Sequence, residues 1–304
     1  MKTLPSTRVT AMIGLAMLLL AILFNLFACQ KERVSVPDGQ QRVRIMLTDN
    51  PVNFDEVNVD IQKVEVLVLP DSCRSGRGDD GDDDGDNRGC HYDRDGDRKD
   101  DYKCAVWDTL DIRPGVYNLL DLSNGVDTVL ATGFTTAGKI KKIRLTLGTN
   151  NSVVIDSVSY PLTLWNKYNR VTISVRGEDI NAITTGDLQL WLDFDAGRSI
   201  VKINDNRFVL KPYLRIWLPE QTGSIKGKVL PGAAKAVVSA IADGDTLVAI
   251  PDDDDGRFKI RGLRGNTATV FVNATANGYQ DTTIAPVAIT RGTETDIGTI
   301  QLHQ

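Results

Sequence analysis

From residue 41 onwards, apolar and polar positions alternate with a period of two, which is the pattern of a β-strand with one buried face. In the first such stretch, the inward-facing apolar residues fall on odd positions from Val43 to Leu47. In the second, they fall on odd positions up to Ile61 and on even positions from Val64. This change of phase at Gln62-Lys63 predicts a β-bulge, or a strand with both faces covered.

The rest of the chain also reads as short strands, and no long amphipathic helix is predicted. Further strands are predicted over Ala105–Leu110, Val116–Leu122, Lys139–Leu147, Val153–Ile155, Tyr160–Leu164, Arg170–Val175, Leu188–Phe194 and Tyr213–Leu218. The pairs Asn124-Gly125, Asp243-Gly244 and Asn277-Gly278 supply the positive φ that tight hairpins need. We therefore expect an all-β fold class with two β-sandwich domains, of immunoglobulin or transthyretin type.

A domain boundary is predicted at the segment Pro219 to Gly223, which follows a strand and interrupts it with proline. The larger predicted domain covers 41–219 and the smaller one 222–302, after a polar tether over 29–40. The acidic net charge of −5, without basic clusters, argues against nucleic-acid partners.

The first 29 residues combine a positively charged start with an apolar run. Lys2 and Arg8 precede an apolar run from Ala11 to Ala28, and Cys29 follows. This arrangement resembles a bacterial lipoprotein signal peptide, covering 1–28. The resemblance implies lipidation of Cys29 and a partner membrane reached through the lipid anchor; the alternative is a transmembrane helix, for which the run is slightly short.

The residues after Cys29 bear on location. Gln30-Lys31-Glu32 is similar to the charged signal that sends some Bacteroidetes lipoproteins to the cell-surface face of the outer membrane, although Arg33 stands where such signals often carry another acid. We expect an outer-membrane, lipid-anchored protein exposed at the cell surface.

The larger predicted domain resembles the domain of unknown function 4382, found in Bacteroidetes lipoproteins. The matching segments are Leu47–Val52, Val57–Ile61, Tyr117–Gly125, Ile143–Leu147, Asn150–Val154 and Leu192–Ala196. The family has no established activity, so the resemblance implies a β-rich fold and the location of a Bacteroidetes lipoprotein, and it does not imply a particular reaction.

The smaller predicted domain resembles the carboxypeptidase regulatory-like family, a seven-stranded transthyretin-like sandwich. The matching segments are Gly223–Val229, Asp255–Leu263, Asn277–Tyr279 and Ile297–Leu302. The resemblance implies a spacer or docking module, and the fold alone does not imply carbohydrate binding.

An acidic insert, 72–103, interrupts the hairpin predicted between Val64–Leu69 and Ala105–Leu110. Cys73 and Cys104 flank it, and a disulfide between them would stabilise the fold by about 3 kcal/mol. Cys90 would then be free or could exchange into the pair.

The insert is also a candidate Ca²⁺ site, because hard oxygen ligands alternate in it beside glycine turns, as in EF-hand or thrombospondin-type repeats. The candidate ligands are Asp80, Asp82, Asp84, Asp86, Asp93, Asp95, Asp97 and Asp100. The alternative is a solvated low-complexity loop whose arginines offset its own charge.

Evidence for an enzyme is thin, since the chain has two histidines and no nucleophile elbow, zinc-binding helix or phosphate loop. Trp191, Asp193 and Asp195 share one side of a strand and, with Trp165, are the candidate ligand-binding residues. The alternative is an ordinary exposed sheet face, with the tryptophans packed for stability.

These observations predict a non-catalytic surface lipoprotein for binding or adhesion, with no certain cofactor. One alternative is a carbohydrate-binding accessory of a glycan-uptake system, whose partner is a glycan; another is a structural spacer for a surface protein partner.

Overall fold

The computed structural model describes residues 35–71, 73, 104–165, 168–175, 187–204 and 206–304. Residues 37–304 belong to one compact unit. The described residues are mostly β-strand, with one helical turn, Ala196–Ser199, and four short 3₁₀ turns. The predicted all-β fold class is therefore confirmed.

The first thirteen strands carry the residues of the larger predicted domain. They are β1 Gln40–Thr48, β2 Glu56–Pro70, β3 Val106–Ile112, β4 Gly115–Asn118, β5 Thr128–Thr136, β6 Gly138–Leu147, β7 Ser152–Ile155, β8 Val158–Leu164, β9 Arg170–Ser174, β10 Asp187–Phe194, β11 Ile200–Asn204, β12 Arg207–Leu210 and β13 Leu214–Trp217. They form one continuous hydrogen-bonded sheet path that folds around a single apolar core. We call β1–β13 the first sandwich.

The remaining strands carry the residues of the smaller predicted domain. They are β14 Gly223–Leu230, β15 Val237–Ala242, β16 Asp245–Ala249, β17 Arg257–Leu263, β18 Thr267–Asn273, β19 Thr282–Ala288 and β20 Glu294–Gln301. They form a sheet in the order β17-β14-β20 and a second in the order β16-β15-β18-β19, with a separate core. We call β14–β20 the second sandwich; its assignment to the carboxypeptidase regulatory-like family stays a prediction.

The change of phase in β2 is a β-bulge, as the sequence predicted. The pairing of β2 with β6 skips Gln62, so that Ile61 faces Leu147 while Lys63 faces Thr146. One extra residue on β2 keeps the apolar side chains on both sides of the skip in the core.

Two local predictions are wrong. The strand expected over Val116–Leu122 ends at Asn118, because the Asn118 side chain accepts a hydrogen bond from the Leu120 N–H and starts a 3₁₀ turn. Of the three glycine pairs, Asp243-Gly244 alone forms a two-residue hairpin, since Ala242 pairs with Asp245. Asn124-Gly125 leads into β5, which pairs with β1 and β3, and Asn277-Gly278 ends a 3₁₀ turn within a longer connection.

The outer face of one sheet positions the candidate site. β10 lies between β1, to which it is parallel, and β13, to which it is antiparallel. Leu190, Leu192 and Phe194 of β10 point into the first core, so the intervening residues point away from it. Side chains of β16 and β17 contact this outer face, and the contact between the two sandwiches is called the seam below.

Candidate functional site

The structure places the predicted row of β10 in the seam, not on an exposed face. Asp193 is 5% exposed and Asp195 is fully buried. Trp191 pairs with Trp217 and Asp193 with Arg215 across β10 and β13. Asp195 lies one residue beyond the strand, where it caps the helical turn Ala196–Ser199. The interpretation of an open sheet face is therefore wrong, because the second sandwich covers this end of it.

Asp195 is held entirely by protein donors. One carboxylate oxygen accepts from the Arg198 N–H at 2.9 Å, as a helix cap does, and the other accepts from the Asn50 side-chain amide at 2.9 Å. The guanidinium groups of Arg198 and Arg215 lie 3.6 Å and 3.7 Å from the same second oxygen. Both of its oxygens contact groups of the chain itself and the residue is fully buried, so Asp195 has no open side for a substrate.

Arg215 joins carboxylates from both sandwiches. Its guanidinium bonds to Asp193 on the neighbouring strand and lies 3.2 Å from the Asp245 carboxylate on β16. Arg198 also reaches Asp245, at 3.0 Å. Burial on its own raises the pKa of Asp245, but the hydrogen bond from Arg198 and the charge of Arg215 bring that pKa below its ordinary value. The two arginines thus tie the second sandwich to the first.

Asp49 lies immediately after β1, against the helical turn. It is 7% exposed, and one of its oxygens accepts from the Ala196 N–H at 3.0 Å. Burial, and then the negative charge of Asp193, raise the pKa of Asp49 well above its usual range. Asn50, the next residue, spans the seam, because its side-chain oxygen accepts from the Val248 N–H at 2.6 Å.

Burial also dominates the titration of Asp193. It raises the pKa of this carboxyl to about 6, although the adjacent Arg215 guanidinium acts in the opposite direction. A raised pKa in a carboxyl is common in catalytic acids. Here the same shift follows from enclosure between two sheets, and the partner of the carboxylate is a structural arginine.

The aromatic residues at the seam are packed together. The rings of Trp191 and Trp217 stack with centroids 5.4 Å apart and planes inclined by 20°. The Trp191 indole N–H donates to Asp127 at 3.3 Å, and Asp127 in turn accepts from Arg261 of β17 at 2.5 Å. Trp191 therefore serves the packing of the seam, which leaves it unsuited to stacking on a sugar.

A cleft of about 470 Å³ opens beside this cluster. Tyr213, Arg215 and Trp217 line it from β13 and the residue before it, while Asp245 and Arg264 line it from the second sandwich. Arg264 donates to the Ile216 carbonyl at 3.2 Å, so it covers part of the outer edge of β13.

The remaining predicted residues lie apart from the seam. Trp165, at the end of β8, is 59% exposed, and the Lys211 ammonium lies 5.6 Å from the centre of its ring. The structure links Cys73 to Cys104, with their Cα atoms 6.1 Å apart. Cys29 and Cys90 lie outside the described residues.

The predicted calcium ligands also lie outside the described residues, so calcium binding by the insert stays a prediction. These are Asp80, Asp82, Asp84, Asp86, Asp93, Asp95, Asp97 and Asp100. Within the part of the chain that the structure describes, no group of three or more His, Cys, Asp or Glu side chains is arranged to hold a metal ion.

Sequence reasoning missed the residues that complete the cluster: Asp49, Asn50, Arg198, Arg215 and Asp245. A usable signal existed for Arg215, which is a lone charge between Leu214 and Ile216 in a strand-like segment. That signal becomes meaningful only once β13 is known to pair with β10, since the pairing sets Arg215 beside Asp193.

The structure defines an all-β, multi-sheet protein with an ionic seam buried between two sandwiches. Comparison of sequences gives the particular family. The family described as "Domain of unknown function (DUF4382)" matches residues 40–212, more than half of the chain, and the protein belongs to it. The predicted membership is confirmed. No curated protein matches the sequence of this chain.

Solved structures similar to this chain include two mutant forms of the shaft pilin spaA from Lactobacillus rhamnosus GG. They are 11% and 9% identical, cover 86% and 88% of this chain and 98% of their own chains, and have TM-scores of 0.20 and 0.22. The major pilin of Streptococcus pyogenes is 10% identical over 87% of this chain and 98% of its own, with a TM-score of 0.15. TM-scores this low do not establish a common fold.

The helical segments of the described chain are at most four residues long. Within the stretches described above, no helix has the length and apolar composition needed to cross a bilayer.

Proposed function

We propose that the protein is a non-catalytic surface lipoprotein, anchored at the outer membrane through Cys29, which presents the surfaces of two sandwiches for binding or adhesion. The first sandwich carries the family domain, and the seam holds the second sandwich against it. In this proposal, recognition depends on exposed strand faces and loops on a firmly joined support.

The main observation in favour of this proposal is that both candidate acids, Asp193 and Asp195, form structural contacts within the seam. A glycosidase needs two carboxyl groups that flank an open site, about 5 to 9.5 Å apart. Asp193 and Asp195 are instead buried, and both are close to Arg215. Replacing their arginine contacts by a substrate would require the two sandwiches to separate, which supports a structural role for these acids.

The proposed location rests on the sequence before residue 41. The positively charged start, the apolar run and Cys29 support lipidation, and Gln30-Lys31-Glu32 supports export to the surface. Several acyl chains give stable anchoring because each buried CH₂ contributes about 0.8 kcal/mol.

Lipidation can be tested in cells expressing the full chain. We expect labelled palmitate to enter the wild-type protein and the protein to fractionate with membranes. The Cys29→Ala variant should incorporate no label and leave the membrane fraction. Unchanged fractionation of that variant would contradict the proposal, and proteolysis of intact cells would show whether the anchored protein faces outward.

A second candidate function is carbohydrate binding at Trp165. The exposed indole with a lysine beside it offers a stacking surface for a sugar ring, since aromatic faces interact with C–H groups and nearby cations. A glycan array probed with the mature protein tests this. Binding should be lost in Trp165→Ala and largely kept in the ring-preserving Trp165→Phe; an array without signal removes this candidate.

The spacer alternative predicts neither lectin activity nor an intrinsic ligand. Pull-down of the native protein from intact, surface-labelled cells distinguishes a spacer from an adhesion protein, because a spacer co-purifies with one protein partner in fixed ratio.

Calcium binding by the acidic insert is tested by calorimetric titration of the mature protein. The absence of heat at millimolar Ca²⁺ would refute calcium binding.

A further inference from the structure

Four buried side-chain atoms in the described residues lack a hydrogen-bond partner: Asp49 Oδ2, Asn124 Oδ1, Asp193 Oδ1 and Arg215 Nε. All four residues line one small cavity within the seam, of about 20 Å³. The cavity is lined from the second sandwich by Leu247 and Val248 of β16 and by Arg261 of β17. Buried polar groups are nearly always hydrogen-bonded, so their concentration around one cavity calls for a common cause.

The size and chemistry of the cavity restrict its occupant. A volume of about 20 Å³ admits a single water molecule, which needs roughly 10 to 15 Å³. Three of the four atoms are acceptor oxygens, whereas Arg215 Nε carries a hydrogen to donate. A metal cation would suit the three oxygens but would face the Arg215 N–H and its positive charge. A water molecule can accept from Nε and donate to two oxygens, which leaves one oxygen needing a further hydrogen.

Asp49 is the group that can supply that hydrogen. Asp193 bonds through its other oxygen to the Arg215 guanidinium, which favours its ionised form. Asp49 accepts hydrogen bonds from backbone N–H groups, that of Ala196 at 3.0 Å and that of Asn50, and within the described residues no ion pair neutralises it directly. Burial and the charge of Asp193 raise the pKa of Asp49 well above its usual range, which agrees with a protonated side chain.

We propose that this cavity is a binding site for one water molecule and one proton, the proton residing on Asp49, and that the contact between the two sandwiches therefore depends on pH. The neutral carboxyl donates into the cavity, and the water connects the remaining acceptors to Arg215 Nε. When Asp49 ionises, two carboxylates of the first sandwich, those of Asp49 and Asp193, line the cavity at the seam without a hydrogen between them.

The surrounding charges favour this protonation. The charged groups near the cavity are Asp193 of β10, Asp195 and Arg198 of the helical turn, Arg215 of β13, Asp245 of β16, Lys259 and Arg261 of β17, and Asp127 before β5. Arg261 is engaged by Asp127 and Lys259 by Glu294, so Arg198 and Arg215 are left to balance three carboxylates. An ionised Asp49 would add a fourth.

The direction of the pH effect follows from linkage. The pKa of Asp49 is raised in the folded protein, so the folded state holds more protons than the unfolded state above about pH 4. Stability is therefore fully present below that pH and is lost as the pH rises towards the folded pKa. For each unit by which the pKa in the folded state exceeds the pKa in the unfolded state, the folding constant falls about tenfold as the pH rises between the two values. Asp193, whose pKa is raised to about 6, acts in the same direction as Asp49 up to about pH 6, so the part of the slope above that pH belongs to Asp49. Asp245, whose pKa is lowered, acts in the opposite direction and only in more acidic solution.

Urea unfolding of the mature protein in EDTA, followed from about pH 4.5 to about pH 7.5, tests the proposal. For the wild type, we expect the folding constant to fall at least about tenfold over this range. Asp49→Asn should remove the part of this slope above about pH 6, where Asp193 is ionised, because an asparagine oxygen keeps the Ala196 bond while its NH₂ group supplies the hydrogen permanently. Asp245→Asn, at the same seam, should keep the slope.

Two results would overturn the proposal. One is an Asp49→Asn variant that retains the wild-type slope above about pH 6. The other is stabilisation by millimolar Ca²⁺ that occurs in the wild type and disappears in Asp49→Asn, which would make the cavity a cation site. Should Asp49→Asn fail to fold, carbon-13 spectra of the wild-type aspartate carboxyls decide, since an ionised Asp49 at neutral pH refutes the proposal and a protonated one supports it.

Discussion

At the scale of single residues, the seam depends on the missing side chain of Gly262. This residue of β17 has a φ of +76°, and a Cβ atom on it would lie 3.0 Å from Cδ1 of the Trp217 indole. Glycine therefore permits both the left-handed backbone conformation and the close approach of an aromatic ring from the first sandwich. Gly244, in the β15–β16 hairpin, has nearly the same φ, +75°. A Cβ atom on Gly244 would meet no heavy atom within 4 Å outside the neighbouring residues.

This pair of glycines gives a matched test. Gly244→Ala should cost about 1 to 2 kcal/mol of unfolding free energy, the usual cost of a left-handed residue with a Cβ. Gly262→Ala should cost about 1 to 3 kcal/mol more, because Trp217 must also move. Urea unfolding monitored by tryptophan fluorescence measures both. Equal costs would show that the contact between Gly262 and Trp217 contributes nothing to stability.

At the scale of elements, β2 organises the first sandwich. It pairs with β4 and β3 along one edge and with β7 and β6 along the other. Its apolar residues on both sides of the bulge are fully buried: Val57, Val59, Ile61, Val64, Val66 and Val68. A strand with a strict period of two cannot bury both sets on one face, so the single extra residue, Gln62, is what allows both sets into the core.

Deleting Gln62 should therefore prevent folding. The deletion turns one half of β2 over and exposes about three branched side chains, each worth roughly 1.5 to 3 kcal/mol of burial. That loss approaches the whole stability of a domain, about 5 to 15 kcal/mol. Gln62→Ala keeps the residue count and should cost about 1 kcal/mol through its lost bond to Asp60. Circular dichroism and thermal unfolding distinguish the two, and a folded deletion variant would contradict the role given to the bulge.

At the scale of the whole molecule, two arginines with shared partners hold the sandwiches together. Arg198 and Arg215 both contact Asp195 and Asp245. Their surroundings differ, because the Arg215 side chain is 14% exposed and the Arg198 side chain 35%. Charge pairs weaken as solvent reaches them, so Arg215 is expected to carry the larger share of the coupling.

Arg215→Met should lower the free energy of unfolding by about 3 to 5 kcal/mol at neutral pH, since it leaves buried carboxylates unpaired. Arg198→Met should cost about 0 to 1 kcal/mol. Arg215 lowers the pKa of Asp193, so without it Asp193 takes up a proton at a higher pH than the wild-type value of about 6. The Arg215→Met penalty should therefore shrink as the pH falls towards about 6, where the variant no longer has an unpaired charge on Asp193. Urea unfolding at two pH values measures this. A pH-independent penalty would show that lost packing, not charge, dominates.

Much of the fold could be predicted because it is encoded in local patterns. The alternation from Val43 to Leu47, the phase change at Gln62 and the Asp243-Gly244 hairpin each depend on a few consecutive residues. Prediction failed where a side chain overrode the pattern, as Asn118 does when it ends a strand. Of the candidate site, the sequence predicted that Trp191 and Asp193 share a face, but not what covers that face.

By itself, the sequence determined which residues form strands, which of their faces are apolar and to which family the chain belongs. It did so because backbone geometry repeats every two residues, so the evidence lies within a few positions. Only the tertiary structure decided that the polar face of β10 would be covered, since Asp193 and Asp245 meet through Arg215 across a strand pairing and an inter-sandwich contact. Those contacts join distant parts of the chain, and alternation along one strand contains no information about what packs above it.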